Sequence, residues 1–170
     1  IVERLRLVAR SRADSPTASV RRDAETPMLF TQIRQPDTNY LAVPEVSSEN
    51  RRYIPIAFLT PNIIGSNKLY MVPDATMYMF GILISNVHMA WMRAVAGRLE
   101  MRYSYSPAVY NNFPWPTPTD EQKAKIEQTA QAILDARDLY PNSSLADLYD
   151  PATMPPELVK AHQQNDKAVM

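Results

Sequence analysis

Apolar positions recur along this chain with two periods, one near 3.6 residues and one of 2. Over residues 1–12, Ile1, Leu5 and Val8 alternate with Arg4, Arg6 and Arg10 at helical spacing, which predicts a helix. Residues 14–26 are polar, contain Ser15-Pro16-Thr17, and read as a loop or linker. Apolar runs at 28–33, 40–43, 53–59 and 68–72 are short, separated by Pro and Asn, and each reads as a strand. Pro55 cannot donate to a ladder, so it places the third run at a sheet edge or bulge. Gly65-Ser66-Asn67 predicts a turn between the third run and the fourth.

The period then lengthens. Asp74, after Pro73, is placed to cap a long helix that Gly97 ends. Met77, Phe80, Ile84, Val87, Trp91 and Ala94 form its stripe, widened by Leu83 and Val95, and this Met-rich aromatic face reads as core. Gly81 predicts close packing against another backbone. Residues 98–105 alternate strictly and read as a strand or extended ribbon, and 110–118 as a rigid Pro-rich crossover. Thr119 or Asp120 starts a second helix running to about Leu139, with Ile126, Thr129, Ala130, Ile133 and Leu134 as its stripe. Two shorter helices are expected at 142–149 and 156–162. The expected fold class is α+β: a small mixed sheet with a long packed helix, then a C-terminal helical segment.

Bulk composition narrows the function classes. The 170 residues suit one medium domain or a domain with an appendage, and 45% hydrophobic content allows a real core. There are no cysteines, which removes disulfides and thiolate metal sites and suits a cytoplasmic protein. The longest apolar candidate, 77–96, is interrupted by Ser85, Asn86, His88 and Arg93, so no membrane span is expected. Ile1-Val2-Glu3-Arg4 is not a signal peptide and begins inside a helical pattern, so the chain reads as part of a longer one. Net charge is zero, but residues 1–110 carry an excess of four positive charges and 111–170 an excess of four negative. The first part suits an anion, or is simply a solvated surface.

Little catalytic chemistry is visible. His88 and His162 lack metal-ligand spacing, and three glycines build no phosphate loop or dinucleotide fingerprint. No elbow-serine motif occurs. Glu121 and Lys123 have the E-x-K spacing of some metal-dependent nucleases, but fall in the first turn of a helix, where such charges complement the dipole. Residues 98–105 offer more. On an extended segment Glu100, Arg102 and Ser104 share one face, with Leu99, Met101, Tyr103 and Tyr105 on the other. A glutamate accepts from the cytosine amino group and an arginine donates to guanine O6 and N7, so the pair can read one G·C base pair. The alternative is a surface ion pair. Ser47, Ser48, Arg51 and Arg52 form a second polar cluster, suited to backbone phosphates or a solvated loop.

The stretch 26–116 resembles the target-recognition domain of MmeI-like restriction–modification enzymes. The resemblance is carried by Tyr40-Leu41-Ala42-Val43-Pro44, by Ser47-Ser48-Glu49-Asn50-Arg51-Arg52-Tyr53-Ile54-Pro55 and by Pro73-Asp74-Ala75-Thr76-Met77-Tyr78. It continues through Phe80-Gly81-Ile82-Leu83, His88-Met89-Ala90-Trp91, residues 97–106, and Val109-Tyr110-Asn111-Asn112-Phe113-Pro114-Trp115-Pro116. The resemblance implies a tail of a methyltransferase domain and its spacer over 1–25, a DNA target-recognition domain over 26–118 and a C-terminal helical segment over 119–170. It implies base readout by Glu100 and Arg102, with Ser104 a shorter reader where relatives often carry arginine. Backbone contacts fall to Arg51, Arg52, Ser47, Ser48, Arg98 and Lys68. The expected partner is double-stranded DNA. The parent chain would carry linked adenine methyltransferase and endonuclease domains and use S-adenosylmethionine and a divalent metal, whereas this piece holds no cofactor, metal or catalytic residue. The N-P-P-[YF] loop of that methyltransferase is absent, and Asn111-Asn112-Phe113-Pro114 lacks its second proline. Two other readings stay open: a docking or oligomerisation platform, and a stand-alone nuclease using Glu121 and Lys123.

Overall fold

The computed structural model describes residues 1–170 as two compact units, 1–35 and 36–170. In the first, α1 (Val2–Ala13) forms where the helical period predicts it. The polar stretch after it is not simply a loop, because it contains α2 (Ala18–Arg22) and a 3-10 turn, Asp23–Glu25. Residues 28–33 are not a strand. A strand needs a partner edge, and here the Arg12 guanidinium takes the carbonyls of Asp23 (2.9 Å), Thr26 (2.9 Å) and Leu29 (2.7 Å). That fork folds the segment back on α1 and leaves Phe30 and Ile33 exposed.

The second unit holds two antiparallel three-stranded sheets. The first orders β3 (Ala57–Leu59), β1 (Tyr40–Pro44) and β4 (Leu69–Val72), and β1, the central strand, buries Tyr40, Leu41, Ala42 and Val43. The expected strand over 53–59 begins only at Ala57. Pro55 has no N–H, and Ile56 N–H turns back to the Ile54 carbonyl at 2.8 Å. As expected from Pro55, β3 is an edge. The second sheet orders β2 (Val46–Ser47), β6 (Arg102–Ser104) and β5 (Gly97–Leu99).

The expected single helix over 74–96 is two: α3 (Met77–Leu83) and α4 (Asn86–Val95). Thr76, not Asp74, caps α3 by accepting from Met79 N–H, and Asp74 sits before it at φ 54°. Ser85 breaks the run. Its hydroxyl donates to the Ile82 carbonyl at 2.7 Å and accepts from His88 N–H, ending one helix and capping the next. The break resets the helical phase. Phe80 and Ile84 are buried as expected, Met77 and Trp91 are half-buried, and Val87 is exposed, while His88, Met89 and Met92 turn inward. Gly97 is not a left-handed stop: no glycine has positive φ, Ala96 is already extended, and Gly97 begins β5.

Tyr110 and Asn111, expected to open the Pro-rich crossover, instead end a short helix, α5 (Pro107–Asn111), with Pro107 in its first turn. A Thr119–Gln122 capping box starts α6 (Asp120–Asp138). α7 is Leu145–Leu148, and α8 (Pro156–Val169) runs well beyond the expected end at His162. α6 and α8 close the core over α3. A Cβ on Gly81 would lie 2.7 Å from Ile126 Cγ2 and 3.1 Å from Ala130 Cβ on α6, and 3.2 Å from Asn165 Oδ1 on α8. The close approach expected of Gly81 is therefore to side chains rather than to a backbone. Asn165 Nδ2 donates to the Gly81 carbonyl at 2.7 Å and its oxygen accepts from Thr129 at 3.0 Å. No helix is long and apolar enough to cross a membrane.

Candidate nucleic-acid interface

Residues 98–105 are not one extended ribbon. β5 and β6 pair Leu99 with Arg102, Arg98 with Tyr103 and Gly97 with Ser104, leaving Glu100 and Met101 as a two-residue turn. Cross-strand partners share a face, so Leu99 lies with Arg102 and Ser104, not with Tyr103. Only Glu100 of the two turn residues has positive φ, 59°, a conformation that usually falls to glycine at the first central position of a tight hairpin. The structure nonetheless brings Glu100 and Arg102 together: Arg102 Nη2 donates to Glu100 Oε2 at 2.9 Å, with side chains 47% and 77% exposed. One carboxylate oxygen and most guanidinium N–H groups remain available at the tip. The opposite face is occupied, since Arg98 lies over the Tyr103 ring at 4.2 Å and donates to the Met101 carbonyl at 2.9 Å.

Register places the second cluster beside the first. Val46 pairs with Ser104 and Ser47 with Tyr103, antiparallel, so the chain leaves β2 toward the tip end of the hairpin. Residues 48–51 then turn, with Arg51 N–H donating to the Ser48 carbonyl and Asn50 N–H to the Ser48 hydroxyl. Arg51 is half-buried, and Arg52 is exposed with its guanidinium 5.4 Å from the Tyr53 ring centre. Ser47 differs from the other residues of this cluster: its hydroxyl is buried without a partner, so it offers nothing to a ligand at the surface. Lys68 is exposed and ion-paired to Glu45 at 3.1 Å. Glu45 carries no local sequence signal, because its partner lies 23 positions along the chain. Its N–H donates to the Lys68 carbonyl and its carbonyl accepts from Tyr105 N–H, so it ties both sheets together.

α4 carries the hairpin. Its C-terminal end enters β5 through Ala96 alone. His88 Nδ1 donates to the Leu83 carbonyl at 2.7 Å, so Nε2 is the acceptor for the Tyr105 hydroxyl at 3.0 Å, just beyond β6. Burial holds His88 down to about 4 and pushes the Tyr105 phenol up, so both stay neutral at pH 7. His162 is also held well below its ordinary value, first by burial and then by Arg137 and Arg52. A histidine whose folded pKa is depressed is protonated first in the unfolded chain, so stability falls as pH drops through 6.5 toward the folded value. His88 alone should remove about 2 kcal/mol by pH 5, lowering Tm by roughly 4–8 °C. Thermal unfolding of wild type and His88→Gln at pH 7.5 and pH 5 checks this. The variant should lose less on acidification, and equal losses would contradict the assignment.

Nothing in the chain is arranged as a metal centre: no group of three or more His, Cys, Asp or Glu side chains converges. Glu121 and Lys123 are exposed in the first turn of α6. Asn111-Asn112-Phe113-Pro114, which lacks the second proline of the catalytic loop, packs Phe113 inward instead. Phe113 is buried with edge-on contacts to His88 (5.1 Å), Trp91 (6.2 Å) and Trp115 (5.3 Å).

Comparison with known proteins gives a consistent picture. Residues 1–117 match the family described as MmeI, target recognition domain, and residues 118–170 match MmeI, C-terminal domain. DNA methyltransferase A of Bacillus subtilis (strain 168) is 42% identical over 171 residues, covering 99% of this chain and 19% of the relative. A solved structure of the Type IIL restriction-modification enzyme MmeI in complex with DNA is 54% identical, with a TM-score of 0.87 over 99% of this chain. This chain spans only 19% and 23% of those two proteins.

Proposed function

Since the chain belongs to the MmeI family, as its target-recognition and C-terminal domains, we propose that it reads a short duplex DNA sequence for catalytic domains carried elsewhere in a longer polypeptide. The observation that carries this reading is the hairpin tip, where an acceptor and a fork of donors stand exposed and hydrogen-bonded to each other. Glu100 accepts from a cytosine amino group and Arg102 donates to the O6 and N7 of its guanine partner, in the major groove. Ser104, half-buried on the Arg102 face, is a shorter reader. Arg51, Arg52 and Ser48, at the same end of the hairpin, hold backbone phosphates, joined by Lys68 and Arg98 once their present partners are exchanged.

In this division of labour residues 1–25 are spacer, 26–118 read the DNA and 119–170 brace the reader. The parent is a cytoplasmic bacterial enzyme that methylates adenine with S-adenosylmethionine and cleaves with a divalent metal. The residues here do not fit either group: three scattered glycines build no S-adenosylmethionine motif, and no three His, Cys, Asp or Glu side chains converge to hold a metal.

Capture of duplexes from a randomised pool by the intact protein, followed by sequencing, tests the reading. One short motif should emerge, and an unenriched pool would end it. Arg51→Ala should weaken binding to motif and non-motif duplexes alike, and lower the slope of log affinity against log salt by about 1. Weakening confined to one base position would contradict the phosphate role.

A further inference from the structure

Asp166 lies in the last turns of α8 and is buried. A buried carboxylate is tolerated only where its acceptor sites are filled. Three donors from two other elements fill these. Oδ1 accepts from Asn86 N–H at 2.8 Å, and Oδ2 accepts from Asn86 Nδ2 and from the Tyr53 hydroxyl, both at 2.7 Å. No ion pair takes part. Each donor leads to one half of the proposed interface.

Asn86 is the first residue of α4, where a carboxylate also complements the helix dipole. From there α4 runs into the hairpin, holds Tyr105 through His88, and donates from Trp91 Nε1 to the Val109 carbonyl at 2.9 Å. Tyr53 directly follows Arg51 and Arg52, and the Arg52 guanidinium lies against its ring. The Tyr53 ring also stacks on His162 of α8 at 4.0 Å between ring centres. One side chain of the C-terminal segment therefore grips the start of the helix that carries the reading hairpin and the root of the arginine loop.

We infer that Asp166 is a positioning residue for sequence discrimination. It touches no DNA, and it fixes the spacing between the 48–52 loop and the 97–104 hairpin so that phosphate and base contacts form in register. This rests on the base-reading function proposed above. Asp166→Asn keeps the shape but puts an amide where only acceptors serve, so it breaks at least one of the three bonds. Tyr53→Phe removes only the link to the arginine loop.

The test is competition in the intact protein between the motif duplex and duplexes changed at the base pair read by Glu100 and Arg102. The ratio of bound duplexes does not depend on the fraction of protein folded, so lowered stability alone leaves it unmoved. Asp166→Asn should reduce the ratio about tenfold, while affinity for non-motif duplexes and its salt slope stay at wild-type values. Tyr53→Phe should reduce it by a smaller factor, and decides the matter if the Asp166 variant does not fold. Ratios within twofold of wild type in the folded variants, whatever their Tm, overturn the inference. The charge exchange at Glu100 and Arg102 is run alongside. A changed motif there with an unchanged ratio in the Asp166 and Tyr53 variants refutes positioning alone. An unchanged motif there refutes the reading itself, and this inference with it.

Discussion

Exchanging the two charges at the hairpin tip, Glu100→Lys together with Arg102→Asp, is expected to change the preferred base pair at one position of the bound sequence and leave the others as they were. The exchange keeps a cation and an anion at the tip, so local neutrality survives. Exposed ion pairs contribute about 0–1 kcal/mol, and these side chains are 47% and 77% exposed, so Tm should barely move. Lysine at position 100 meets the same positive φ that glutamate already tolerates. The order of donor and acceptor along the hairpin is reversed. A good bidentate base contact discriminates by about 1–3 kcal/mol, or roughly 5- to 150-fold, so the preference at that position should invert by a factor in that range. Sequencing the duplexes captured by wild type and variant reads the result. Tight binding with the original motif would remove both residues from base readout.

Removing residues 119–170 should abolish cooperative unfolding of what remains. The deletion strips α6 and α8 from α3, uncovering Gly81 and taking Ile126, Ala130, Ile133, Leu158 and Ala161 out of the two core clusters that bury Phe80, Ile82, Leu83 and Ile84. Each large apolar side chain contributes about 1.5–3 kcal/mol on burial, against a total of about 5–15 kcal/mol for a domain. Polar losses add to this. Asn86 loses its carboxylate and the Gly81 carbonyl its amide donor, while the Ile56 carbonyl loses Arg137, which donates to it at 2.9 Å. Thermal melts followed by circular dichroism should show a broad, shallow change for residues 1–118 and a sharp transition for the whole chain. A shortened chain melting sharply within about 5 °C of the intact one would mean that the two family domains fold independently.

α6 is where sequence and structure agree most closely. Thr119, Gln122 and the Ile126–Ala130–Ile133 stripe encode α6 locally, through a capping box and a 3.6-residue period. The short apolar run 40–43 likewise encodes a strand, buried on both faces. Where expectation and structure part, a side chain competes for backbone. Ser85 takes the Ile82 carbonyl and splits the long helix, and Arg12 takes three carbonyls and keeps 28–33 out of any sheet. Neither is visible to periodicity, because a serine within an apolar stripe costs the pattern little.

Residue types at 100 and 102, with their spacing, were enough to nominate donor and acceptor chemistry for a base pair, and family-like strings gave the domain assignment. Sequence alone also set the core face of α6, the edge position of β3 and the lack of room at Gly81. Only the folded chain decided that Glu100 and Met101 turn a hairpin, that the Ser47 hydroxyl is buried, that Lys68 is held by Glu45, and that Asp166 closes onto Tyr53 and Asn86. The hairpin turn leaves no signature because Glu100 takes the positive φ without a glycine, and the rest of the division has one cause. Helix period, caps and turn chemistry act over a few residues and leave local signatures, whereas these pairings join side chains as many as 113 positions apart, where neighbours are chosen by packing and no spacing rule applies.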